Sequence, residues 1–353
     1  MKVAFIAKMS DKLLEHMIEP IQHIGEVEEI GIFRTAPISG NKIKWMVIPA
    51  LFRKVFFLAQ LYRVFQVLLH AREYDVLIGC FQIPHGMMAW LAGKLYGIPV
   101  IQTVISEIDK KSVTRFLAME VVMKSEACTV MGPICKDKLI KRGYANPIEV
   151  IQLSNHFSGL SSRELPKKYD LVAVGNFVNE KDYPWMVEVL VEVKKAVPDF
   201  KIAIRAGGDT RRKFPEMIRS NGLSENIELL GYLTEEELLE VYMSSKVYFL
   251  TSWTEGLTTA LVEAMFCGLP AIVTEVGNLP WLVRDGLEGR VVPHGNTQKM
   301  ADAVIETLSD DKAQAKYKEN TALRMLEVKD EFKTECIAKS WERLFKQISK
   351  KRN

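Results

Sequence analysis

Glu255 and Glu263 stand eight residues apart in the stretch EGLTTALVEAMFCGLPAIVTEVGNLPWLVRDGLEGRVVP, residues 255–293. Gly256 follows the first acid, an apolar run of helical period leads to the second, and Cys267-Gly268-Leu269-Pro270 stops the helix. AIVT then reads as a buried strand, followed by a Gly-containing loop at Val276-Gly277-Asn278. With Gly256 opening the helix, the N–H groups of Gly256, Leu257, Thr258 and Thr259 lie unpaired at the positive end of the dipole, a place for phosphate. At about 1.5 Å of rise per residue the two carboxylates sit roughly 12 Å apart along the axis, one on each side of a diphosphate at the helix mouth. Glu255 can then accept hydrogen bonds from sugar hydroxyls and Glu263 from ribose hydroxyls. Two isolated glutamates flanking a core helix are ordinarily just solvated. The Gly, the two threonines and the Gly-Leu-Pro stop favour a site for a nucleotide-linked substrate.

The chain that must position these groups has 353 residues, enough for two domains. It is 48% hydrophobic and 26% charged, as a soluble globular protein is. A net charge of +3 gives no case for nucleic acid as a partner. Cys80, Cys128, Cys135, Cys267 and Cys336 form no Cys-x-x-Cys pair and read as reduced, mostly buried thiols of an intracellular protein. The opening MKVAFIAKMSDK is too short an apolar run for a signal peptide and reads as a first strand. Without a run of about 18 apolar residues nothing is expected to span a membrane.

Short apolar runs alternate with helical patterns. Strands are expected at 3–7, 27–33, 75–80, 100–104, 128–132 and 148–153, with helices near 11–24, 45–72, 84–96, 112–124 and 134–142. The polar segment SGLSSRELPKK (158–168) reads as a linker. The alternation restarts with strands at 170–175, 200–206, 226–231, 247–251, 270–274 and 289–293. Helices follow near 181–197, 211–222, 234–245, 256–267 and 296–308, and two more near 310–326 and 329–350. This pattern predicts an α/β protein of two doubly wound parallel-sheet, Rossmann-like domains with a cleft between them and ligands at the carboxyl ends of the strands.

On these residues the chain resembles the family 4 retaining glycosyltransferases of the GT-B fold, the glycosyl transferases group 1. The block at 255–293 is similar to that family's donor-binding signature, with Glu255 and Glu263 at its two glutamate positions. LVAVGNFVNEKDY (171–183) is similar to its strand–loop element that holds the donor diphosphate. The resemblance implies an acceptor-side domain at 1–160, a donor-binding domain at 161–325, and a terminal helix at 326–353 packing back toward the first domain. It implies donor contacts from Gly175, Asn176, Lys181, Gly207, Tyr232, Glu255, Gly256, Leu257, Thr258, Thr259 and Glu263, with Lys181 and Glu255 catalytic. Asn176 stands where the family usually has an Arg, and Ile105 where it often has a His. His85 and Glu107, with Asp109 nearby, are the acceptor-side candidates, and His85 can equally cap a helix or pack. Gly207-Gly208 is either a close approach to the donor or a plain strand–helix connection.

The implied reaction moves a sugar from a nucleotide diphosphate sugar to an acceptor hydroxyl with retention, in cell-surface polysaccharide or glycolipid synthesis. The difficulty is negative charge growing on the leaving diphosphate, which Lys181 and the helix N–H groups would stabilise. With no Asp-x-Asp triplet and no His/Cys cluster of metal-ligand spacing, no metal and no further cofactor is expected. A non-catalytic sugar-nucleotide-binding relative or partner subunit, or a sugar-nucleotide epimerase, would share this architecture. The segment 41–72 contains no Asp or Glu and carries Lys42, Lys44, Arg53, Lys54, Arg63 and Arg72 among aromatic and aliphatic residues. It reads either as a long core helix with solvated cations or as a basic amphipathic helix lying on an anionic membrane. The expected location is cytoplasmic, with peripheral contact at the inner face of the membrane.

Overall fold

The computed structural model describes residues 1–350 apart from Lys8 and the segments 35–39, 107–112, 156–164 and 208–213. Glu107, Asp109, Gly208 and most of the linker at 158–168 therefore lie outside the described residues. The chain forms two compact units, one made of Met1–Asn155 with Asp330–Asn353 and the other of His156–Lys329.

In the first unit, β1 (Lys2–Ile6), α1 (Asp11–Gln22), β2 (Glu29–Arg34), β3 (Ile43–Val47), α2 (Ala50–Arg53), α3 (Phe56–His70), β4 (Val76–Cys80) and α4 (Met87–Tyr96) come first. Then follow β5 (Val100–Val104), α5 (Val113–Met123), β6 (Ala127–Val130), α6 (Pro133–Lys141) and β7 (Ile148–Val150). The seven strands are all parallel in the order β3-β2-β1-β4-β5-β6-β7. Strands such as VAFI and VLIGC are buried along their whole length, as a sheet covered on both faces requires.

The long helix expected from residue 45 is not there. Ile43–Val47 is an edge strand, with Ile30 opposite Ile43 and Phe33 opposite Met46. Ile43, Trp45 and Val47 are β-branched or aromatic residues that suit a pleated edge, and Pro49 then ends the extended run at the start of α2. The basic apolar segment is thus a strand, a single helical turn and the 15-residue helix α3.

The second unit contains β8 (Tyr169–Asn176), α7 (Tyr183–Ala196), β9 (Ile202–Gly207), α8 (Phe214–Ser220), β10 (Ile227–Leu230), α9 (Glu235–Met243) and β11 (Ser245–Phe249). It continues with α10 (Thr259–Phe266), β12 (Ala271–Thr274), α11 (Leu279–Leu282), β13 (Gly289–Val292), α12 (Thr297–Ser309) and α13 (Asp311–Val328). Its six strands are parallel in the order β10-β9-β8-β11-β12-β13. Leu171, Ala173, Ile202 and Ile204 of the sheet pack against Met186, Val189, Leu190 and Val193 of α7. The strand order reverses between β8 and β11, so the loops leaving these two strands diverge and open a crevice at their carboxyl ends.

The last helix, α14 (Thr334–Lys350), belongs to the first unit. Its apolar face, Ile337, Ala338, Trp341, Leu344, Phe345 and Ile348, is fully buried at helical spacing. Trp341 meets Phe5 of β1 edge-on at 6.3 Å, and Arg343 pairs with Glu149 of β7 at 3.3 Å.

Four of the five cysteines are buried and Cys336 is half-buried. Burial pushes the thiols of Cys80, Cys128 and Cys267 up to about 12. A thiol whose pKa is raised stays neutral below that value, and only the thiolate reacts. Cys336 is therefore expected to be alkylated first at pH 8 in the folded protein. Mass spectrometry of iodoacetamide-treated protein checks this, and early label on Cys80 or Cys128 would contradict it.

Candidate functional site

Lys181 and Glu255 come from the two loops that leave β8 and β11 at the reversal of strand order. Lys181 Nζ lies 2.7 Å from Glu255 Oε1, and their side chains are only 13% and 14% exposed. The pair is built in from both sides. Ser252 Oγ donates to the same Glu255 oxygen at 2.8 Å, and Lys181 reaches Thr258 Oγ1 at 3.5 Å. Thr251 Oγ1 donates to the carbonyl of Lys181 at 3.0 Å, and the backbone N–H of Trp253 donates to the carbonyl of Glu180 at 3.0 Å. The two loops are thus stitched together by backbone as well as by charge.

Gly175 eases this packing, because a Cβ there would stand 3.0 Å from Lys181 Cε and 3.4 Å from Tyr183 Oη and the lysine stem would have to give way slightly. Asp182 ends the loop with φ +46 and caps α7 by accepting from the N–H of Trp185 at 3.3 Å.

The helix of the signature block starts later than its spacing suggests. α10 begins at Thr259 with Thr258 as an extended N-cap, so Glu255 to Thr258 are not helical and the straight rise between the two acids does not apply. Tertiary pairing overrides the helical period here. The carbonyl of Gly256 accepts from the backbone N–H of Asn278 at 2.7 Å and from Asn278 Nδ2 at 3.2 Å. That holds residues 255–258 against the loop after β12. The unpaired N–H groups at the helix start are consequently those from Thr259 onward, with Thr258, Leu257 and Gly256 buried in the approach.

Glu263 lies on α10 at 8% exposure, and Tyr242 of α9 donates to its Oε2 at 3.1 Å. Burial, with Glu263 adding to it, pushes the Tyr242 phenol well above its usual value. Burial and then Glu255 do the same to Tyr248, which donates to the carbonyl of Val174 at 3.4 Å. Both phenols stay protonated and act as fixed donors, Tyr242 to Glu263 and Tyr248 to the carbonyl of Val174.

The structure brings together Gly175, Lys181, Glu255, Thr258 and the start of α10. Asn176 is exposed at the end of β8 beside Gly207 of β9, whose added Cβ would meet Asn176 Oδ1 at 3.7 Å and the Tyr232 ring at 3.5 Å. These are ordinary contacts, so the fold itself does not demand glycine at 207. Tyr232 is 86% exposed. His85 lies in the first unit, in the one-turn helix Gln82–Gly86 after β4, where it is 3% exposed and Arg63 donates to its Nε2. It sits at the carboxyl edge of the first sheet, at the β1/β4 reversal.

Sequence reasoning missed Ser252, Tyr242 and Asn278, which fix site residues through one, one and two hydrogen bonds respectively. Ser252 carried a usable signal, standing three residues before Glu255 just past a buried strand. Tyr242 carried none, because its helix gives no sign of facing α10.

Residues 161–324 match the family described as glycosyl transferases group 1. Over 191 residues the chain is 27% identical to the UDP-N-acetylglucosamine–peptide N-acetylglucosaminyltransferase GtfA subunit of Limosilactobacillus reuteri subsp. suis. That match covers 52% of this chain and 36% of the relative, so the chain spans about a third of that protein's length. Among solved structures it is similar to the sucrose-phosphate synthase of Thermosynechococcus elongatus, with a TM-score of 0.79 and 18% identity over 99% of each chain. It is also similar to HepE of Anabaena in complex with UDP-glucose, with a TM-score of 0.74 and 16% identity over 99% of this chain and 100% of that one. At these identities the likeness is one of fold, the GT-B fold.

Gly277 tests how much the site relies on its loops. It has φ +56, and a Cβ there would stand 2.0 Å from the carbonyl oxygen of Glu255. Gly277→Ala is expected to cost at least about 1–3 kcal/mol in backbone strain and to displace Glu255. A fall in the melting temperature of the second unit, with weaker nucleotide binding, checks it.

Proposed function

We infer that this chain, whose residues 161–324 belong to the glycosyl transferases group 1, is a glycosyltransferase that uses a nucleotide diphosphate sugar. The observation that carries the reading is the Lys181–Glu255 pair at the β8/β11 reversal, beside the start of α10 and with Glu263 buried on that helix. Glu263, steadied by Tyr242, accepts from the ribose hydroxyls. Glu255, steadied by Ser252, accepts from the sugar. Lys181 and the first N–H groups of α10 face the diphosphate.

In the transfer, the bond between the anomeric carbon and the diphosphate oxygen breaks and a bond to the acceptor oxygen forms. The acceptor loses its proton, and negative charge collects on the leaving diphosphate. Preorganised donors aimed at that charge lower the barrier, since they need no reorganisation as it develops. The reading extends to retention of configuration, with the leaving phosphate taking the acceptor proton. It also assigns charge stabilisation to the protein's own groups, so turnover is expected to survive a chelator. The reading extends to a glycan or lipid-linked acceptor and to a role in cell-surface polysaccharide or glycolipid synthesis.

Peripheral membrane contact belongs to the same reading. Among the described residues no helix is long and apolar enough to cross a membrane. α3 nevertheless carries apolar side chains on both sides, with Ala59 and Val67 buried in the core of the first unit. Arg63 and Gln66 are buried beneath it, whereas Phe57, Leu61, Phe65 and Leu69 are exposed at four-residue spacing. Leu51 of α2 and Leu95 of α4 are exposed as well. Contiguous exposed apolar surface marks an interaction site, and an acid-free basic segment suits an anionic bilayer. Phe57→Ser with Phe65→Ser is expected to abolish sedimentation with phosphatidylglycerol vesicles while leaving the fold intact.

A thermal-shift panel of UDP, GDP, ADP and their sugar conjugates tests the donor site. A ligand at about a hundred times its dissociation constant adds roughly 2.7 kcal/mol of stability. One base is expected to shift the wild type and not Glu263→Ala. Glu255→Ala should keep most nucleotide affinity and lose turnover. Equal nucleotide shifts in wild type and Glu263→Ala would remove the ribose assignment. Binding without release of sugar or product would favour a non-catalytic subunit.

A further inference from the structure

A nucleoside diphosphate brings more negative charge than the described site can meet. Lys181 is already paired with Glu255, and Glu263 adds a second carboxylate, so the three groups together carry one net negative charge. Binding a further anion there calls for another cation at the same edge of the sheet.

Arg205 is placed to supply it. It lies near the carboxyl end of β9, IAIRAG, where every other residue is apolar or small. In the parallel register it stands opposite Val174 of β8, with Ala206 opposite Gly175 and Gly207 opposite Asn176. Its guanidinium lies 5.5 Å from the centre of the Tyr232 ring. Burial pushes the Tyr183 phenol up, and the charge of Arg205 opposes that rise. The same phenol oxygen and Lys181 Cε both crowd the position a Cβ would take on Gly175. Lys181 and Arg205 therefore both lie near the Tyr183 phenol at the end of β8.

Arg205 is also short of acceptors. Among the described residues it makes no ion pair, and its Nε is buried with no hydrogen-bond partner. A buried charged donor without an acceptor is costly, and a water or a bound anion relieves that cost. A phosphate oxygen satisfies both the charge and the geometry, because a guanidinium presents a planar fork of N–H donors that matches it.

We propose that Arg205 is a donor-binding residue that holds the diphosphate opposite Lys181, supplying from β9 the cation that Asn176 does not supply at the end of β8. The assignment rests on the nucleotide-sugar reading of the second unit. It makes the donor site of this chain depend on a residue one strand away from the signature loops.

Titration calorimetry with UDP, UMP and uridine, and with the guanosine and adenosine series, tests it on wild type, Arg205→Gln, and Arg205→Gln combined with Asn176→Arg. Arg205→Gln is expected to lose on the order of 10- to 100-fold in diphosphate affinity and to keep nucleoside affinity within about threefold. The double variant is expected to recover most of the loss, since it restores a cation at the neighbouring strand end. Unchanged diphosphate affinity in Arg205→Gln overturns the proposal while leaving the donor site standing. Equal losses for diphosphate and nucleoside also overturn it, because they mark a role in base packing or folding. A double variant as weak as the single overturns the exchange of one cation for the other. A wild type that binds none of these nucleotides removes the donor reading and this assignment together.

Discussion

The carboxyl ends of two parallel strands, β8 and β11, are the constraint on which the second unit depends. Neighbouring strands that both run outward must send their loops away from each other when the winding reverses. Divergence alone would leave a wet notch. Lys181 and Glu255 turn it into a structured one, since each loop contributes one member of an ion pair that is mostly removed from solvent. Removing either member would leave the other charge uncompensated in a partly buried place, where it is far from neutral in its effect. The neighbouring contacts serve this pair. Gly175 makes room for the lysine stem, Ser252 fixes the carboxylate, and Gly277 lets the loop after β12 close on the backbone of Glu255.

Much of this was legible in the residues. The alternation of short apolar runs with helical periods locates every strand except β3, because each buried parallel strand is a continuous apolar run. β3 was hidden by its own composition. Trp45, Met46, Val47 and Ile48 form a short continuous apolar run, which periodicity alone does not tell from a buried helix segment, and the edge pairing with β2 that decides the matter is not local.

The site was legible to the same depth and failed for the same reason. Lys181, Glu255 and Glu263 stand in local patterns that announce loops and helix starts. The start of α10 is set by the hold of Asn278 on the carbonyl of Gly256, 22 residues before it, so spacing placed it three residues early. Tyr242 and Arg205 act across elements, one from α9 to α10 and the other from β9 to β8. A charged residue within an otherwise apolar interior strand is the kind of local inconsistency that marks functional positions. It can be seen in the sequence, but its meaning comes only from the register.

The return of α14 to the first sheet has a consequence for how the molecule is made. Trp341 packs on Phe5, so the first unit buries β1 against a helix that leaves the ribosome only after the whole second unit. The second unit is one continuous stretch. Synthesis ordinarily lets amino-terminal domains settle first. Here the order is reversed: residues 156–329 can complete their core while the sheet begun at Lys2 still waits for its final helix. Through that interval Phe5 of β1 is without the Trp341 ring that covers it in the finished fold.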